Sequence, residues 1–555
     1  MDSGRFVLAV ILMIAVVVIT NILFPPVPRR SRTAARDTVA QVQQPAAPAQ
    51  QSQQAAQQPG AQLPQPTAAT PADTVLVESE LYRFGISTHG AMIVSAEMLP
   101  WKSFTRSGPV QLAPRNARGL LAYRVQLGDQ QLDLSTVSFT PTARRLRLEP
   151  GQPPATLRLT HTSTTGNIEV TYQFTPDNYI AHVTVRVNGA PVPATRLLLD
   201  FGPQLAINEA RGVEDERALA YVVNSEKEGI HSYALRSVKN ERIDEGPLDW
   251  VALKNKYFVA AAIIGEKKGS KPFGGVLADA GVEKYTAKIS ATLPADSNST
   301  FSYRLYLGPQ DFDRLNAIGY KFQDVNAYGW RILRPIIRPL GHFLTWAVLS
   351  LHEILGLTYG WILVIFGVGI RLLLWPLNNK AMRAQLKNME MQPRIKELQA
   401  KYKAQPDVLQ REMLRMYKEA GTNPMGGCLP MLIPFPVLIT LFFVFQSTIQ
   451  FRGVPFLWLP DLSRPDPFYI LPVLLGATML IQQWLSMKTS PPNPQMKFMM
   501  WFMPAFMVMI FFNLASGLNL YYAAQNIPGF FQQMQITRER ERYQREKGIT
   551  VPAKK

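Results

Sequence analysis

The residue that makes the strongest chemical demand on this chain is Arg371. It lies inside Tyr359–Pro376, an apolar run reading YGWILVIFGVGIRLLLWP. With its flanks this run has roughly the length that crosses a bilayer. Arginine keeps its proton in proteins. At the centre of a bilayer its charge costs at least about 2.5–3.5 kcal/mol on insertion scales. Arg371 precedes Lys380 by nine positions, roughly 13 Å along a helix. Two accommodations answer that cost. The side chain can snorkel to the headgroups, or it can sit in a wet polar recess between helices. The second needs further polar side chains at depth. Gln446, Gln482, Gln483, Asn513, Gln525 and Asn526 are amides carried by later apolar segments. They can line such a recess, and they can equally act as interhelical glue.

Other chemistry is poorly provided for. No G-x-x-x-x-G-K-[ST] phosphate loop occurs. Cys428 is the only cysteine, so neither an intrachain disulfide nor a thiol metal cluster can form. His89, His161, His182 and His231 are scattered without the paired spacing of a metal site or an acid–base dyad. The internal apolar segments lack the carboxylates that ion-coupled transporters use. An envelope enzyme acting on carbohydrate would need a carboxylate and a histidine to converge in the soluble part, and nothing in the spacing shows that. The reading is a protein with no catalytic residue, no metal and no cofactor.

The elements that must position Arg371 follow from the rest of the chain. The 555 residues carry 58 basic and 40 acidic side chains, a net +18. That balance suits nucleic acid or an anionic membrane surface. The long apolar runs favour anionic lipid, with no sequence-specific binding of nucleic acid.

Residues 1–27 read as an uncleaved transmembrane anchor, because the apolar run is long and no A-x-A pattern follows it. Residues 28–74, rich in Gln, Ala and Pro, read as a disordered tether. Residues 75–322 alternate apolar and polar, with Asp177-Asn178, Asn188-Gly189, Gly265 and Pro309 between runs. The runs are Val75–Val77, Leu120–Leu127, Thr156–Thr160, Ile168–Phe174, Ile180–Val187, Tyr257–Ile264 and Thr300–Leu307. This pattern predicts an antiparallel β-sandwich. Residues 323–356 read as an interfacial amphipathic helical region, distorted by Pro335 and Pro339 and weakened by Gly341.

Residues 357–379 form the span bearing Arg371. Residues 380–427 predict a basic helical hairpin broken at Gln405-Pro406, a mobile arm facing lipid or a partner. Four spans follow within 428–536, and Met496, Met499, Met500, Met503, Met507 and Met509 offer either ordinary packing or an adaptable sliding surface. Residues 537–555 form a basic tail. Four spans separate the hairpin from the tail, so both lie on one side, which the positive-inside rule makes the cytoplasm. That parity overrides the local cluster Arg29–Arg36 and places both termini inside and the β-domain outside. The fold class is therefore a multi-pass α-helical membrane protein of six transmembrane helices, with an extramembrane β-sandwich.

Several motifs resemble those of the YidC-type membrane protein insertases. They are Asn423–Val437 (NPMGGCLPMLIPFPV), Tyr359-Gly360-Trp361 ahead of the Arg-bearing span, Asp466–Pro472 (DPFYILP), and Ser516-Gly517-Leu518 with Leu520-Tyr521-Tyr522. With the anchor and β-domain the resemblance covers essentially the whole chain in its Gram-negative form. It implies insertion, folding and assembly of integral proteins in the inner membrane. It implies that five helices enclose a hydrophilic groove open to the cytoplasm and to lipid. Nascent membrane proteins would be the clients, and the Sec translocon with its accessory subunits, and the ribosome, would be partners. Arg371 matches the groove arginine and Tyr522 a substrate-contacting position. Two positions depart from the pattern. Pro434 stands where the family usually has Gln, and Gly367 stands where a close relative has a hydroxyl residue. The expected groove set is Arg371, Gly367, Gln446, Gln482, Asn513, Tyr522, Gln525 and Asn526.

Overall fold

The structure, a computed structural model, describes residues 74–546 except 115–118, 164–165, 191, 267–269, 284, 297–298, 327–332, 378, 380–390, 404, 420–434 and 489–493. The expected anchor, the tether up to residue 73, residues 380–390 and 420–427 of the basic arm, most of the Asn423–Val437 motif and the last nine residues lie outside the described residues.

The alternating part folds into two sheets around one core. Each of the seven runs falls on a strand. In Gly166–Phe174 and Ile180–Asn188 every second side chain faces the core, as a pleated strand requires. Phe258–Ile264 instead is buried on both faces except at its last residue. It lies between Arg242–Lys254 and Thr300–Pro309. Its continuous apolar composition follows from that position rather than from alternation.

The smaller sheet has five strands. It is antiparallel except where Thr74–Glu78 pairs in parallel with Arg145–Arg147, a departure from the purely antiparallel expectation. Its Tyr82 hydroxyl donates to the Thr175 carbonyl at 2.9 Å. From the larger sheet, the Tyr172 hydroxyl donates to the Ala91 carbonyl at 2.7 Å. These bonds satisfy polar atoms that the shared core would otherwise strand.

Helices α1 (Gly212–Ala218) and α2 (Phe312–Ile318) belong to this β-domain. Then come α3 (Arg334–Leu355), α4 (Tyr359–Leu373), α5 (Gln392–Lys401), α6 (Pro406–Glu419), α7 (Phe435–Ser447), α8 (Ile470–Lys488), α9 (Pro494–Phe511) and α10 (Ser516–Glu546).

The proline distortion expected in α3 is mild. Pro335 stands in the first turn, where no donor is needed, and the helix continues through Pro339 to a left-handed Gly356. One side of α3 buries Ile337, Leu344 and Val348, while Ile336, Phe343, Trp346 and Ile354 stay exposed. The helix thus packs on its neighbours and still presents an apolar face. Pro406 opens α6, which explains the break in the hairpin. The last helix runs on through Pro528 to Glu546, so the basic tail begins as a continuation of α10 rather than after it.

Among the described residues one helical stretch, Tyr359–Leu377, is long and apolar enough to cross a membrane by length and composition. Pro436–Ser447, Ile470–Leu485 and Trp501–Phe511 are shorter apolar helices.

Candidate functional site

Helices α4 and α10 run parallel and in close contact, and glycines permit the approach. Leu363 lies against Gly517, Gly367 against Tyr521, and Arg371 against Gly529. A β-carbon at Gly529 would stand 3.2 Å from Arg371 Nη2 and 3.4 Å from its Nε. The guanidinium therefore lies against the backbone of α10, at a position where glycine leaves the side chain out.

Arg371 falls in the last turn of α4, which ends at Leu373 with Leu374 as its cap, three residues before Pro376. Leu374 interrupts the helical stretch as a single turn residue, and the helix resumes over Trp375–Leu377. A cation at a helix C-terminus meets the negative end of the dipole, a partial compensation that the apolar run alone did not suggest. Arg371 is half-buried and makes no hydrogen bond or ion pair with a described residue; its Nε is buried without a partner.

Four other polar atoms along α10 are buried with no hydrogen-bond partner among the described residues: Asn519 Oδ1, the hydroxyls of Tyr521 and Tyr522, and Gln532 Oε1. They span fourteen residues of helix, roughly 20 Å. Buried polar atoms are normally satisfied, so these positions can take hydrogen bonds from water or from polar groups of another molecule. Asn519 and Gln532 were not expected from the sequence. Their helical spacing relative to Tyr522 and Gln525 was the available signal.

The expected residues divide. Gly367 is buried at the α4–α10 contact. Gln525 and Asn526 are half-buried four and three positions before Gly529, which puts them on the turn above the guanidinium. Asn526 Nδ2 donates to Thr478 Oγ1 on α8 at 2.7 Å, and half-buried Gln482 lies one turn beyond Thr478. The Tyr522 ring points toward α9, 5.5 Å from that of Phe511.

Gln446 and Asn513 are not brought to Arg371. Both are exposed at the end of the bundle nearest the β-domain. Phe445, beside Gln446, meets Gly517 at the level of Leu363; Arg371 lies eight residues further along α4, roughly 12 Å away. Helical spacing located these amides on apolar segments but not at a common depth. Of the methionine row, Met503 and Met507 are half-buried and Met509 is exposed.

In the β-domain, His89 Nε2 and Ser138 Oγ are 3.1 Å apart, and His161 Nδ1 lies 2.9 Å from the Ser138 carbonyl. Among the described residues no carboxylate orients His89 and its Nδ1 has no partner, so the pair lacks the third member of a nucleophile triad. Among the described residues no group of three or more His, Cys, Asp or Glu could hold a metal ion.

Comparison with known proteins bears on both halves of the chain. The family described as 60Kd inner membrane protein matches residues 350–544, and that of the YidC periplasmic domain matches residues 74–341. A membrane protein insertase YidC of Chlorobaculum tepidum is 31% identical over 83% of this chain and 81% of its own length. One of Coxiella burnetii is 28% identical over 98% of this chain and 97% of its own. A crystal structure of an active YidC insertase, with its first transmembrane domain resolved, aligns with 84% of this chain and 94% of its own at 16% identity and a TM-score of 0.33.

Proposed function

The chain belongs to the YidC family of membrane protein insertases, and from that premise we propose that Arg371 and the polar row of α10 form the path by which a client's polar flank crosses the membrane. The protein is an inner-membrane insertase and chaperone rather than an enzyme, with a periplasmic β-rich domain on a helical membrane core, and nascent membrane proteins are its clients.

The observation that carries the proposal is that polar atoms of α10 between Asn519 and Gln532, like Arg371 Nε, are buried with no hydrogen-bond partner among the described residues. Crossing bare hydrocarbon costs several kcal/mol for every unsatisfied polar group. Water and amides in a recess shorten the dry path, and one fixed cation attracts acidic flanks. The apolar part of the client partitions into lipid, and its burial drives the step at about 25 cal/mol per Å². No nucleotide is needed.

Six spans with both termini cytoplasmic complete the reading, with α4, α7, α8, α9 and α10 as the core five. The parallel course of α4 and α10 agrees with three spans between them. The basic arm of α5 and α6 meets incoming chains or ribosomes, the exposed apolar face of α3 rests at the lipid interface, and the Sec translocon is a working partner for part of the client range.

Photocrosslinking of a stalled nascent membrane protein tests the groove. Probes at Tyr522, Gln525 and Asn526 are expected to capture the client, and a probe at Leu373, 70% exposed on the outer face of α4, to capture it far less. Equal capture at all four positions would remove the groove assignment.

A further inference from the structure

The connection from α7 to α8 has two faces. Phe451, Phe456, Leu459 and Leu462 are buried in the core of the helical bundle. Arg452 turns the opposite way and enters the β-domain, with its side chain 2% exposed. Its Nε donates to Glu209 Oε1 at 2.7 Å, and its Nη1 donates to the Lys102 carbonyl at 2.9 Å. The guanidinium carbon stands 4.4 Å from the centre of the Phe104 ring and 5.9 Å from that of Phe258.

The socket is built, not incidental. Glu209 is 6% exposed, and buried Asp215 holds its loop by accepting from the backbone N–H of Asn208 at 2.8 Å and of Glu209 at 3.2 Å. A second tie lies beside it, where Gln450 Nε2 donates to Asp311 Oδ2 at 3.2 Å.

A buried ion pair adds little net stability compared with apolar packing, but separating its partners while both stay buried is very costly. Only two arrangements escape that cost. Either the guanidinium is seated in the socket, or the β-domain has moved off and both charges are in water. We propose that Arg452 in its socket is a two-position joint that decides whether the β-domain stands over the outer end of the helical bundle. The joint reaches the bundle through Phe451, whose ring lies 5.6 Å from Tyr359 at the start of α4 and 4.9 Å from Phe445. Its state is therefore felt at the outer entrance of the helix that carries Arg371. This goes beyond the insertase reading and does not depend on it.

The test is a distance measurement by pulsed electron paramagnetic resonance on the full chain in lipid nanodiscs. Cys428 is first replaced by serine, and spin labels are placed at Val282→Cys in the β-domain and Ile354→Cys at the end of α3, positions 98% and 79% exposed. The parent is expected to give one narrow distance. Glu209→Gln keeps the shape and removes the charge, and should raise the ratio of displaced to docked distances by on the order of a hundredfold. Arg452→Lys, which keeps charge without the fork, should fall between the two. An unchanged distribution in both Glu209→Gln and Arg452→Met overturns the joint. So does displacement that appears only together with loss of the β-domain's own melting transition, because the pair would then be an ordinary part of that domain's fold.

Discussion

Gly367 and Tyr521 touch backbone to backbone: a β-carbon at position 367 would stand 2.7 Å from the Tyr521 carbonyl oxygen. Atoms that close must move apart, and what they would push against is helix backbone rather than a flexible side chain. Gly367→Ser introduces a hydroxyl at this position, and it is expected to destabilise the α4–α10 contact by roughly 1–3 kcal/mol. Thermal unfolding in nanodiscs and steady-state abundance measure this; a serine variant as stable as the parent would show that the two helices can separate at no cost.

Arg371 is expected to work by charge and position. Arg371→Lys should keep much of the insertion activity. Arg371→Ala should lose insertion of clients with acidic flanks by about tenfold or more, a difference of roughly 1.4 kcal/mol in the barrier, while neutral-flank clients and the melting temperature change little. Snorkelling predicts that alanine is tolerated. Equal loss for both client types together with a lower melting temperature would mean that the arginine serves the fold.

The Asn526–Thr478 hydrogen bond ties α10 to α8 within the same region. Intramembrane bonds of this kind average about 0.6 kcal/mol. A double-mutant cycle with Asn526→Leu and Thr478→Val should return a coupling of that order. A coupling indistinguishable from zero would mean that Asn526 is free to face a client instead.

Lys254, in the β-domain, donates from Nζ to Asn326 Oδ1 at 2.6 Å. Burial pulls its ammonium down from the ordinary 10.5 to about 8. The unfolded chain therefore holds this proton over a range where the folded one has released it. The contribution of Lys254 to stability rises between pH about 8 and about 10.5 and is lost as pH falls through about 8. Lys254→Met should raise the β-domain's stability near pH 7 by roughly 1–3 kcal/mol, and its advantage over the parent should shrink by pH 10. An advantage that does not change with pH would assign the effect to packing.

How legible the molecule was from its residues depended on the range of each signal. The strand positions were visible because pleating repeats every two residues and a half-buried strand writes that period into its side chains. Phe258–Ile264, read among the alternating runs, carries no such period, because neighbouring strands flank it and both of its faces are covered. The exact course of α10 was harder to read, since its charged second half has helical spacing but no apolar face to mark where the membrane part ends.

The residues alone determined that this is a membrane protein with a β-rich soluble part, that one arginine is stranded in an apolar run, and that amides accompany it. Those follow from local composition and from the cost of charge in hydrocarbon. Only the tertiary structure decided which amides share the arginine's surroundings, that Gly529 makes room for its guanidinium, and that Gln446 and Asn513 stand at the other end of the bundle. It also joined Arg452 to Glu209 across 243 positions of chain. Periodicity says which face of an element is apolar but not which partner covers it. Close approaches between helices depend on atoms that are absent from glycine, which leave no mark in hydropathy or charge.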